Sequence, residues 1–116
     1  MSDADKETYA PLILMTGEYE SLFMTDSHMV KWFPIFEERE EEGWTGSGYD
    51  WTSLARVLIS EQLPEIESQI NYDPEAGMFS AQGPLEALKT LGTAMQKLYN
   101  DEAMIRDLLT RAELDD

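Results

Sequence analysis

Gly43-Trp44-Thr45-Gly46-Ser47-Gly48-Tyr49-Asp50-Trp51 is the stretch whose reading decides the fold, because it sets three glycines and three aromatic residues between two helical patterns. Glycines allow positive φ and close backbone approach at little steric cost, so the segment can fold tightly back on itself. Each aromatic ring contributes roughly 1.5 to 3 kcal/mol when it leaves water. Three such rings in nine residues predict a packing hub, with Trp44 at its more exposed, acid-flanked end and Asp50 as cap of the helix that follows.

Upstream of the hub, Asp26-Ser27 is a helix-start signal, and Met29, Trp32, Phe33 and Phe36 fall at i, i+3, i+4 and i+7 on one face. Pro34 interrupts that helix, which is therefore kinked or restarts with Pro34 in its first turn. The segment closes as Glu37-Glu38-Arg39-Glu40-Glu41-Glu42, where glutamates near a helix carboxyl end oppose the macrodipole and repel one another. Earlier still, the apolar runs Ala10 to Thr16 and Tyr19 to Thr25 flank Gly17-Glu18 and read as a hairpin. Pro11 suits an edge or first-residue position. Residues 1–8 read as a frayed start, and 9–114 as a single domain.

Downstream, Leu54, Leu58 and Leu63 mark a buried stripe, widened by Val57 and Ile59 and stopped by Pro64. Ile66, Ser68, Ile70 and Tyr72 alternate with polar residues, the period of a half-buried strand. Asp73-Pro74-Glu75-Ala76-Gly77 is a turn, with Pro74 at its second position and Gly77 left-handed, and Met78 to Gln82 is the partner strand. Leu85, Leu88, Leu91, Met95, Leu98 and Tyr99 recur at helical spacing, and Ala103 to Ala112 forms a last helix with Ile105, Leu108 and Leu109 inward. The predicted order is ββααββαα: an α+β fold in which helices cover an antiparallel sheet of about four strands.

The chain has 116 residues, 42% of them hydrophobic, with 24 acidic against 8 basic residues and a formal charge of −16. A phosphate backbone rewards Lys and Arg, so nucleic acid is excluded as a direct ligand. A basic protein is the natural partner, since complementary fields speed encounter and reject wrong partners. No run of apolar residues is long enough to span a bilayer, no membrane partner is expected, and the amino terminus lacks a secretory pattern, so the expected location is the cytoplasm. No cysteine is present, which removes disulfides and thiolate chemistry.

Catalytic and metal-binding kits are equally sparse. His28 is the sole histidine, too few for an imidazole metal site, and no acidic stretch has calcium-loop spacing. Gly46-Ser47-Gly48 lacks the Lys-Ser/Thr of a phosphate loop. No catalytic residue, metal or cofactor is expected. Met15, Met24, Met29, Met78, Met95 and Met104 lie within apolar patterns and read as core filler.

Gly-Ser-Gly-Tyr-Asp-Trp-Thr-Ser-Leu-Ala at 46–55, followed by Tyr-Asp-Pro-Glu-Ala-Gly-Met-Phe-Ser-Ala at 72–81, resembles the immunity protein 51 family of bacterial polymorphic-toxin systems. The resemblance runs from about Pro11 to Leu114. It implies a small cytoplasmic α+β protein that protects its producer by binding a cognate toxin domain. It also implies that Tyr49, Asp50, Trp51, Asp73 and Gly77 set the fold. Against the family pattern, His28 to Glu42 is longer and carries Pro34 and extra glutamates, a place where partner specificity could be written.

Resemblance and charge together lead to an immunity protein that neutralises a basic, nuclease-type toxin through an acidic surface. The expected contacts are Glu38, Glu41, Glu42 and Trp44, with Asp73 and Glu75 as a second patch. The alternatives are a general acidic adaptor or nucleic-acid mimic, and a small hydrolase using two carboxylates.

Overall fold

The computed structural model describes residues 9–16 and 20–113. The frayed start at 1–8, the Gly17-Glu18 turn with Tyr19, and residues 114–116 of the acidic end lie outside the described residues. Four antiparallel strands, β1 (Ile13–Met15), β2 (Ser21–Thr25), β3 (Asn71–Tyr72) and β4 (Met78–Gln82), form one sheet in the order β1-β2-β4-β3. The helices are α1 (Asp26–Met29), α2 (Phe33–Glu37), α3 (Gly48–Gln62), α4 (Leu85–Tyr99) and α5 (Glu102–Leu109). The α+β expectation holds, and so does the placement of both hairpins around the central helices.

Register decides which side of the sheet is buried. Leu14 pairs with Leu22, Leu22 with Ala81, and Met24 with Phe79. These side chains join Leu54 and Leu58 of α3 and Leu88, Leu91 and Met95 of α4 in one core. Both long helices therefore cover the same face. The opposite face carries Ile13, Phe23 and Ser80 in one row and Thr25 and Met78 in the next.

The segment from Asp26 to Glu42 restarts at its proline. α1 passes through a 3-10 turn at Val30–Trp32, and α2 begins with Pro34 in its first turn, where a missing N–H has no helical partner to lose. The expected single glutamate-rich helix end is corrected: α2 stops at Glu37, and Glu40–Glu42 forms a separate 3-10 turn ended by Gly43 at φ 104°. Breaking the helix there spares the glutamates a shared carboxyl-terminal dipole.

The strand expected over Ile66 to Tyr72 is mostly a 3-10 helix, Pro64–Gln69, with only Asn71 and Tyr72 in the sheet. Ile66 and Ile70 are both buried, and their spacing of four satisfies a helical turn as well as an alternating strand. Pro64, at the first position of the helix, selects the turn.

The second hairpin is tighter than its sequence suggests. Asp73 N–H donates to the Ser80 carbonyl at 3.0 Å, and Glu75 and Met78 exchange hydrogen bonds at 2.8 and 3.0 Å, so only Ala76 and Gly77 lie in the loop. Pro74 thus precedes the turn, contrary to its expected place inside it. Gly77 also departs from expectation, because the described glycines with positive φ are Gly43 and Gly46.

Candidate functional site

The hub at 43–51 is built around a buried carboxylate. Ser47 is the N-cap of α3, its Oγ accepting from Asp50 N–H at 3.4 Å, so Asp50 is not the cap but stands three residues inside it. Asp50 Oδ2 accepts from the backbone N–H groups of Thr45 and Gly46, each at 2.6 Å. Charge-assisted bonds of this kind hold the loop against the helix start, and Gly46 takes φ 88° to allow it. Asp50 is only 4% exposed.

Gly48 joins this hub to the second hairpin. Its N–H donates to the Ala76 carbonyl at 3.0 Å, and a Cβ on it would strike the carbonyl oxygens of Met78 and Glu75. The two stretches that carry the family resemblance are therefore in direct contact. Close backbone approach, not turn geometry, is what requires glycine at this junction.

Trp44 is not at an exposed end of the hub. It is 3% exposed, 6.4 Å from the Phe36 ring, in an aromatic series that continues through Trp51 and Tyr99 to Trp32. The chain reversal at Gly43 folds the indole inward, which overrides the acidic neighbours on which its expected exposure rested. Tyr49 departs in the opposite direction: expected in the packing, it is 41% exposed. Trp51 is fully buried, as expected for the hub.

The glutamate run divides by role. Glu38 accepts a bidentate pair from Arg106 at 2.8 and 3.1 Å, and Arg106 also bonds Glu102 at 3.0 Å. The Arg106 guanidinium holds the Glu38 carboxyl below the usual glutamate range. Arg39 donates to the Leu109 carbonyl at 2.8 Å and lies 3.6 Å from Glu42. These contacts tie α5 to the end of α2. Glu37, Glu40 and Glu41 are exposed and, among the described residues, carry no side-chain hydrogen bond or ion pair. They line the end of α2 and the 3-10 turn that follows it as a short acidic ridge.

Asp73 and Glu75 are exposed on the second hairpin, where register puts them on the sheet face of Ser80 and Met78. The sequence reading took Asp26 only as part of a helix-start signal, not as a surface carboxylate of the second hairpin. A Cβ on Gly77 would lie 3.6 Å from Asp26 Oδ2, so this carboxylate stands at the Ala76–Gly77 turn. Its position directly after β2, antiparallel to β4, was the available signal.

A cleft of about 330 Å³ beside α3 is lined in part by Arg56, Glu61, Glu67 and Arg111. Arg111 clamps Glu61 at 2.6 and 2.9 Å and also bonds Asp107, which lowers the pKa of both carboxyls. A carboxyl held ionised by a clamp is a poor general acid, so Glu61 and Asp107 are ill suited to that role. Among the described residues no group of three or more potential ligands could hold a metal, and no helix is long and apolar enough to cross a membrane.

The family model described as immunity protein 51 matches residues 15–114, most of the chain. Neither a curated protein nor a solved structure matches it.

Proposed function

We propose that this chain, which belongs to the immunity protein 51 family, neutralises a cognate toxin domain by binding it in the cytoplasm. The observation that carries this reading is the family match over 15–114. The charge of −16 supports the finer chemistry: the toxin is basic, of the nuclease type, and the acidic surface enters or covers a cleft made for phosphate. No reagent of the chain's own is used. It works as an inhibitor by occupancy, not as an enzyme.

Within that surface, Glu41 with its neighbours Glu37 and Glu40 steers the encounter, and Glu42 adds charge despite its loose pairing with Arg39. Glu38 contributes less as a contact, since its carboxylate is already committed to Arg106. Trp44 supports the ridge from beneath, through Phe36. Exposed charges of this kind act mainly on association rate and salt dependence.

Co-expression tests the reading. Cells carrying the toxic domain encoded beside this chain's gene should grow when the chain is present and die when it is absent. Reversing Glu41 and Glu42 to Lys should slow association with the purified domain and flatten its salt dependence. Unchanged association would remove the ridge from the interface, while failure of the wild-type chain to protect would remove the function.

A further inference from the structure

The sheet face turned away from the helices departs from what water normally selects. An antiparallel sheet covered on one side is expected to show polar residues on the other. Here Met15 is 52% exposed, and Ile13, Phe23 and Met78 are half-buried, none of them belonging to the core or packed against it among the described residues. Two of the methionines read from sequence as core filler, Met15 and Met78, are thus outside the core.

Register places these residues together. Ile13 pairs with Phe23 and Phe23 with Ser80, while Met15 aligns with Ser21 and Thr25 with Met78. The bond from Asp73 to Ser80 and the Glu75–Met78 pair continue the β3–β4 register without a slip. Asp73 and Glu75 therefore extend the Phe23–Ser80 row and the Thr25–Met78 row on the same face. Asp26 closes the group at the hairpin turn. The result is an apolar patch on the β1–β2 side bordered by exposed carboxylates on the β3 side.

We propose that this open sheet face is the surface that holds the toxin, and that its occupant is an apolar protrusion of that protein flanked by lysine or arginine. The inference rests on the function proposed above and adds the place and the chemistry of contact. Interfaces draw most of their affinity from a few apolar residues desolvated at the centre, with charges at the rim. This face has both parts. The glutamate ridge has only the second, because Ile35, Phe36 and Trp44 beneath it are buried. Charge complementarity selects a basic protein over a second copy of this chain, which would bring another −16 against the same carboxylates. Methionine suits such a surface, being flexible enough to fit an irregular partner.

The two surfaces make separable kinetic predictions. Charges at a rim govern association, and desolvated contacts govern dissociation. The test measures both rates for the inactivated toxic domain encoded beside this chain's gene. Its partners are the wild-type chain, M15R, F23A, the double variant D73N/E75Q and the double variant E41K/E42K. M15R and F23A should each raise the dissociation rate about tenfold or more, D73N/E75Q should weaken binding and its salt dependence, and E41K/E42K should slow association alone. Met15 is exposed enough that its substitution leaves folding intact, and unfolding midpoints verify this for F23A. Wild-type dissociation rates for both M15R and F23A would overturn the proposal while leaving the function standing. A wild-type chain that does not bind at all would fail the function itself. A chain that sediments as a dimer, and that M15R converts to a monomer without changing toxin dissociation, would assign the face to self-association and overturn the proposal.

Discussion

Replacing Gly48 by alanine should damage this protein far more than replacing Gly77, although the sequence alone favours the reverse. A Cβ at Gly48 meets the carbonyl oxygens of Met78 and Glu75, and those atoms are fixed by the paired bonds that close the hairpin. Neither is the end of a flexible side chain, so the start of α3 or the hairpin must shift. Overpacking of that kind costs about 1–3 kcal/mol. Displacing Gly48 N–H from the Ala76 carbonyl removes a further ~1 kcal/mol. Alanine's better helix propensity returns about 1 kcal/mol at most. The net loss is then about 1–3 kcal/mol, which in urea moves the unfolding midpoint by roughly 1 M. At Gly77 a Cβ would find Asp26 Oδ2 at 3.6 Å, ordinary van der Waals contact, and φ there is not left-handed. Gly77→Ala should stay within about 0.5 kcal/mol of wild type. Equilibrium urea unfolding of both variants decides the matter. Equal midpoints for the two, or a Gly77→Ala loss as large as that of Gly48→Ala, would refute the claim that close approach at the helix start joins the two motifs.

Asp50→Asn should destabilise the fold by about 2–3 kcal/mol, because an amide oxygen replaces a carboxylate that accepts two backbone N–H groups in a buried site; denaturant unfolding measures this, and a loss under ~0.5 kcal/mol would contradict it. The arginine clamps of Arg106 on α5 and Arg111 just past its end should make stability fall in acid. Hydrogen bonds from Arg106 and Arg111 hold Glu38 and Glu61 below their ordinary 4.5, so their contribution is present above pH 4.5 and lost as pH falls through the lowered values. Arg111→Gln should flatten that decline in urea midpoints across the acid range, and an unchanged slope would show the clamp to be idle. At the alkaline end, burial pushes Tyr72 up to about 12. Its contribution is intact below pH 10 and lost as pH rises through 12. Burial also raises Tyr99, so tyrosinate absorbance during an alkaline titration should show one fewer late-titrating group in Tyr72→Phe than in wild type.

Local pattern carried much of the fold. α4 was legible because its apolar residues recur at helical spacing over fifteen residues after Gly83-Pro84, and no other period fits them. The hairpins were legible from apolar runs around turn residues. Where two periods fit the same residues, pattern alone could not choose: Ile66 and Ile70 serve a turn as well as a strand, and Pro64 settled it. Trp44 was misplaced because its acidic neighbours suggest solvent, whereas one residue of left-handed backbone at Gly43 turns the side chain under α2.

The candidate surfaces were legible only in part. Exposed acids could be named from composition, but Glu38 is spent on Arg106, a partner sixty-eight residues away that no local pattern reveals. The open sheet face was harder. In Leu12-Ile13-Leu14-Met15 both alternating sets are apolar, so the sequence does not say which set the helices cover. Register supplied the answer: Leu14 faces the core through Leu22, and Ile13 faces away through Phe23.

Titration calorimetry between the purified chain and the inactivated form of a toxic domain sought beside its gene, run with an activity assay on the active form of that domain, bears most directly on the central claim that this molecule acts by occupying another protein. At physiological salt it should give a one-to-one complex whose formation abolishes the toxin's activity; absence of heat and of inhibition at saturating concentrations would contradict it.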